Sequence, residues 1–236
     1  MDEHSIQAIE KDVADWQYLK ELPSLWHGFI LKIEMSVEND IYYLFSYSSD
    51  ELHRKIIVYY HDETKEYKLR EKIGLTEFYR LECISNNFSM FEKLLKIKLE
   101  NILVEMEHYS PDVLSWIVLK KNITNWDYCK YLPEEYNGFS LFINPHEPVR
   151  ITNGSYIICD YEDFSCNCNF VIFYNTFRDE FFSEAKINNI AEMNYLFDAP
   201  TITELEKKIT QYLFEMLDTI HKKANNLSEI ENDNNK

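Results

Sequence analysis

Apolar residues Ile6, Ile9, Val13 and Trp16 fall three and four apart, the period of one helix face, and Trp116, Leu119, Ile123 and Trp126 repeat that stripe 110 residues later. Each stripe predicts an amphipathic helix, closed by Pro23 in one case and Pro133 in the other. Before the second, Ser110-Pro111-Asp112 supplies a cap, a proline suited to a first turn and a carboxylate for the positive end of the dipole. Stretches rich in β-branched and aromatic residues follow. Phe29–Met35, Ile41–Tyr47, Lys55–Tyr60 and Phe78–Ile84 predict strands in the first half, and Phe139–Ile143, Ser155–Tyr161, Asn169–Tyr174 and Met193–Phe197 in the second. Polar turns separate them, which favours antiparallel neighbours. Gly74 aligns with Asn188, and both residue types tolerate positive φ, so a tight turn is expected at each. The last element in each half reads as a helix. Ser89-x-x-Glu92 and Thr203-x-x-Glu206 have the form of a capping box. Behind them run the stripes Phe91, Leu95, Leu99, Ile102, Leu103, Met106 and Leu205, Ile209, Leu213, Met216, Leu217, Ile220.

The two halves therefore read as one unit written twice. Asp15-Trp16-Gln17-Tyr18 and Trp26-His27-Gly28-Phe29 return as Asn125-Trp126-Asp127-Tyr128 and Tyr136-Asn137-Gly138-Phe139. Beyond a four-residue insertion the spacing becomes 114, pairing Tyr42 with Tyr156 and Tyr47 with Tyr161. The expected architecture is α+β: a tandem duplication of an α-β(4-5)-α unit with antiparallel sheets, the copies related by a pseudo-twofold axis. The repeats are placed at 1–109 and 110–223, and the polar stretch 224–236, which lacks periodicity, is expected to be disordered.

Charge narrows the partners. The chain of 236 residues has a net charge of −17, with 13 Lys/Arg against 21 Asp/Glu in residues 1–110 and 11 against 20 in residues 111–236. Acidity thus belongs to both halves. It disfavours direct contact with nucleic acid or an anionic membrane and favours a basic protein. Met1-Asp2-Glu3-His4 leads into no apolar run, and five cysteines form no even framework, so a cytoplasmic location is expected.

Candidate chemistry is tested between the copies. Cys159, Cys166 and Cys168 have zinc-ligand character with His146 nearby, but they align with Phe45, Leu52 and Arg54, which favours buried thiols over a metal. His27, His53 and His61 align with Asn137, Asn167 and Asn175, amides that cannot transfer protons. Four glycines build no phosphate-cradling loop. No catalytic residue, metal or cofactor is expected.

Tyr42, Tyr43 and Tyr47 fall on one predicted strand, where alternation exposes part of the set beside carboxylates such as Asp62 and Glu63. Those five residues are the expected partner-binding face, with tyrosine as the anchor. Two function classes follow. One is a non-enzymatic inhibitor or immunity-type protein that sequesters a basic toxin or nuclease; the other is an enzyme with a cleft between the repeats that gathers Asp15, Glu21, His27 and Asp127. The first is preferred. Tyr131-Leu132-Pro133-Glu134-Glu135-Tyr136 resembles the Leu-Pro-x-x-Tyr segment that opens SUKH-type bacterial immunity proteins. The resemblance covers those residues alone: the first copy reads Glu21-Leu22-Pro23-Ser24-Leu25-Trp26 and the following Asn-Gly-Gly turn is missing, so neither fold nor residue is carried over.

Overall fold

A computed structural model describes residues 1–234, and the chain divides between His108 and Tyr109 into two compact units. The first opens with α1 (Glu3–Val13), whose cap Asp2 accepts from the Ser5 amide at 2.7 Å, and α2 (Gln17–Glu21). Six antiparallel strands then pair in chain order: β1 (Leu25–Trp26), β2 (Phe29–Glu38), β3 (Ile41–Ser49), β4 (Arg54–His61), β5 (Glu66–Ile73) and β6 (Thr76–Tyr79). After a 3-10 turn at Leu81–Cys83, α3 (Phe88–Glu107) buries the predicted stripe from Phe91 to Met106. Phe91 stacks on Tyr67 of β5 at 5.5 Å, and Trp16 meets Phe45 and Phe88 at 5.8 and 5.0 Å.

The second unit starts with a 3-10 turn at Pro111–Val113, α4 (Trp116–Lys120) and two further 3-10 turns. Its seven-stranded antiparallel sheet comprises β7 (Glu135–Tyr136), β8 (Phe139–Ile143), β9 (Val149–Arg150), β10 (Ser155–Asp163), β11 (Cys168–Asn175), β12 (Glu180–Ile187) and β13 (Ile190–Ala199). The order is β13-β12-β11-β10-β8-β7, with β9 alongside β10. The four extra residues lie where β2 is continuous and β8 and β9 are separate; Pro145 and Pro148 there have no amide to donate to a ladder. α5 (Ile202–Asn234) covers this sheet. Of the tail expected at 224–236, the described part is helical to Asn234, and residues 235–236 lie outside the described residues.

The structure is α+β with antiparallel sheets, and it differs locally from expectation. Strands number six and seven rather than four or five, because the charged stretches Glu66–Ile73 and Glu180–Ile187 are strands and the two-residue pairings at Leu25–Trp26, Glu135–Tyr136 and Val149–Arg150 add the rest. Their period-2 burial (Tyr67, Leu69, Ile73; Phe181, Ala185, Ile187) outweighs the charges between. The stretch from Phe78 leaves the sheet after Tyr79. Both capping boxes are displaced by two residues: Asn87 accepts from the Met90 amide at 2.9 Å and Thr201 from the Glu204 amide at 3.2 Å. The stripe of the second opening helix is also out of phase. α4 stops short of Asn122, at φ 59; Val118 and Ile123 are buried, while Trp116 and Leu119 point outward.

Pairing registers in the two sheets coincide at the spacing of 114. Tyr42↔Tyr60 corresponds to Tyr156↔Tyr174, Phe45↔Val58 to Cys159↔Ile172 and Ile73↔Thr76 to Ile187↔Ile190. The bulge between Tyr43 and Phe45 has its counterpart between Ile157 and Cys159. Positive φ recurs at matched places too: His27 and Asn137 (47 and 48), His53 and Asn167 (48 and 50), Lys65 and Asp179 (55 and 54), Gly74 and Asn188 (57 and 51). Asn is favoured among non-glycine residues in the left-handed region, and His is tolerated there, so two of the three His-to-Asn exchanges are backbone requirements. The expected tight turns at Gly74 and Asn188 are two-residue hairpin loops.

Candidate functional site

One end of the first unit gathers carboxylates from three elements. The β2–β3 turn carries Asp40, the β4–β5 turn Asp62 and Glu63, the start of α1 Asp2, and its last turn Asp12. Backbone contacts join them: the Asp62 amide donates to the Asp40 carbonyl at 2.8 Å and the terminal amine of Met1 to the Asn39 carbonyl at 3.1 Å. Two cations at this end, Lys65 and the Met1 amine, are engaged internally. Lys65, held at positive φ, reaches Asp62 Oδ1 at 2.7 Å and Ser5 Oγ at 3.3 Å, while the Met1 amine lies 3.3 Å from Asp40 Oδ1. The hydrogen bond from Lys65 holds the Asp62 carboxyl below its ordinary range, and hydrogen bonds from Ser5 do the same for Asp2. Tyr67 donates to Asp12 Oδ2 at 2.9 Å. Glu63 stands exposed at the tip of the turn, so the end presents ionised carboxylates in excess of cations.

The tyrosines expected beside them have a different place. Tyr42 is 4% exposed and Tyr47 fully buried, its hydroxyl donating to the Pro23 carbonyl at 2.7 Å. Tyr161 donates likewise to Pro133 at 2.9 Å. Tyr47 is a buried post that fixes the Leu-Pro turn, not an exposed anchor, because its ring packs among those of Trp26 and Phe45. Tyr43 is half-buried with its ring 6.3 Å from Tyr59. Of the five expected residues, Asp62 and Glu63 share the acidic end. Asp2, Asp12 and Asp40 join them from turns and a helix start that sequence reading did not connect.

His27 is held against α3, with Nδ1 3.3 Å from Glu107 and Nε2 3.7 Å from Glu100; Asp15 lies 4.0 Å from Lys20. Asn137 takes the matching place in the second unit, donating to Asp218 at 3.0 Å. Both therefore clip the turn before a strand to the covering helix. Among the described residues no group of three or more His, Cys, Asp and Glu is arranged to hold a metal ion. Burial pushes the thiols of Cys83 up to about 12 and Cys129 to about 11, and Cys159 well above its usual value, which disfavours the thiolate that a metal or nucleophilic role requires. No described helix is long and apolar enough to cross a membrane. Compared with known proteins, the chain matches no family model, no curated protein and no solved structure.

Proposed function

We propose that this chain is a non-enzymatic binding protein, built from two copies of one α-β-α unit, that sequesters a basic protein partner as an inhibitor or immunity-type protein does with a toxin or nuclease. The observation that carries the reading is the acidic end of the first unit, where Asp2, Asp12, Asp40, Asp62 and Glu63 gather and where Lys65 and the Met1 amine are already engaged. Such a surface raises the encounter rate with a positively charged protein. Coincident registers, bulges and positive-φ positions support the duplication. Five free cysteines fit the reducing cytoplasm.

The test compares the wild-type chain with a variant carrying Asp62→Lys and Glu63→Lys. Immobilised wild type should retain basic proteins that the variant releases. Association with a retained partner should slow as salt rises from about 0.05 to 0.5 M, over which the Debye length falls from about 14 to 4 Å, with dissociation changing much less. Retention without charge preference, or a salt-independent association rate, would remove the electrostatic account.

A further inference from the structure

The second unit carries, at the place matching that acidic end, a cavity of opposite character. It has a volume of about 370 Å³ and is lined by Trp116, Ile117, Lys120, Lys121, Thr176 and Asp179, from α4 and the β11–β12 turn. At the spacings of 110 and 114 these positions hold Ile6, Gln7, Glu10, Lys11, Asp62 and Lys65 in the first unit. The turn backbone is kept, with Lys65 at φ 55 and Asp179 at φ 54, while the side chains on it are replaced. Trp116 is 67% exposed, although α4 has a buried side on which Val118 sits, and Phe177 on the adjoining turn is 80% exposed. Two large exposed rings, one on α4 and one on the adjoining turn, are apolar surface that the core does not use.

Charge defines what this cavity can take. Asp179 Oδ1 accepts from Lys121 at 2.7 Å and from the buried Tyr174 hydroxyl at 2.6 Å, so Asp179 and Lys121 neutralise each other on one wall. Lys121 is tied down further by the Pro200 carbonyl at 3.4 Å and the Tyr174 ring at 5.7 Å. Lys120 remains, its ammonium 5.3 Å from the centre of the Trp116 ring and its side chain exposed. In a chain of net charge −17, this cavity has two lysines for one carboxylate.

We propose that the cavity between α4 and the β11–β12 turn binds a small planar anion, an aromatic carboxylate whose ring stacks on Trp116 and whose carboxylate pairs with Lys120. An indole face supplies flat apolar contact, and a flexible lysine can leave the ring to meet an anion at its edge. The first unit, with Glu10 and Asp62 at the corresponding places, would repel the same ligand.

The experiment titrates the full chain with naphthoate, naphthylmethanol and naphthylmethylamine by calorimetry, and repeats the titration with Trp116→Ala and with Lys120→Glu. Both replaced side chains are exposed, so folding is retained and is checked by the unchanged unfolding midpoint. Naphthoate should bind one per chain, the alcohol about tenfold more weakly and the amine more weakly still, with each substitution weakening naphthoate about tenfold. Absence of naphthoate binding, an amine that binds as tightly as the carboxylate, or affinity untouched by both substitutions would overturn the proposal.

Discussion

Where α1 meets the β4–β5 turn, the first unit presents Glu10, Asp62 and Glu63; where α4 meets the β11–β12 turn, the second presents Lys120, Thr176 and Phe177. The turn backbone is alike at the two places, with Lys65 and Asp179 at φ 55 and 54, and the chemistry is not. The same contrast runs inside the units. Glu71 is buried in the first, paired with Arg80, which also reaches Glu105 at 2.6 Å; the matching residues of the second are Ala185, Asn194 and Thr219. Conversely, Asp160 and Glu162 lie buried where the first unit has Ser46 and Ser48. What the units hold in common is a frame set by ring packing, strand register and left-handed turn positions. Charge, buried or exposed, varies on top of it.

The largest effect is expected from breaking a buried charge pair that one unit has and the other lacks. Arg80→Asn should cost about 3–5 kcal/mol in urea unfolding of the full chain, because Glu71 is left in the interior without its cation. Adding Glu71→Ala reproduces the Ala185 and Asn194 pair of the second unit and should recover most of that loss, to within about 1–2 kcal/mol of wild type. A double variant as unstable as the single would show that the ion pair, rather than the stranded charge, carries the stability.

Asp160 sharpens the comparison from the other side. Burial first, then the neighbouring Glu162, hold its carboxyl well above the ordinary value near 3.8. The folded chain thus keeps a proton that the unfolded chain releases, so stability from this group is present at acid pH and is lost as pH rises above about 4. Asp160→Asn should abolish that loss. Its unfolding midpoint should exceed wild type at neutral pH and converge with it near pH 4; equal midpoints across that range would mean the carboxyl is not protonated in the folded state.

Smaller effects concern the turns. A methyl on Gly138, at φ 90, would lie 2.9 Å from Asp163 Oδ2, and Asp163 is anchored by Ser165 at 2.9 and 2.6 Å. Gly28, at φ 76, has its nearest neighbour 3.8 Å away. Gly28→Ala should cost about 1–2 kcal/mol for the left-handed backbone alone and Gly138→Ala measurably more. His27→Asn, which copies Asn137 at nearly the same φ, should change stability by about 0.5 kcal/mol or less.

The parts of the fold legible in the sequence were those with one dominant signal. The stripes of α3 and α5 lie on wide buried faces, and Gly74 with Asn188 marks a turn that only a few residue types enter. Trp116 misled because spacing alone cannot separate a tryptophan that packs inward from one that does not. The strand from Glu66 was obscured because Lys68, Arg70 and Lys72 lie between its buried positions. The acidic end was only half legible. Asp62 and Glu63 are adjacent in sequence, while Asp2, Asp12 and Asp40 reach them through a turn pairing and a helix start that no local pattern encodes.

The order of the strands also has a meaning in time. β1 to β6 pair with their chain neighbours, so the first sheet can assemble hairpin by hairpin as it leaves the ribosome, but α3, which carries Phe91, Leu95 and Leu99, is translated last. At a synthesis rate of about 5–20 residues per second, the apolar side that α3 covers waits on the order of seconds for its lid. α5 stands in the same relation to the second sheet. In both units, then, the strands precede the helix that covers them, and a sheet that pairs in that interval has a bare face for a chaperone to find.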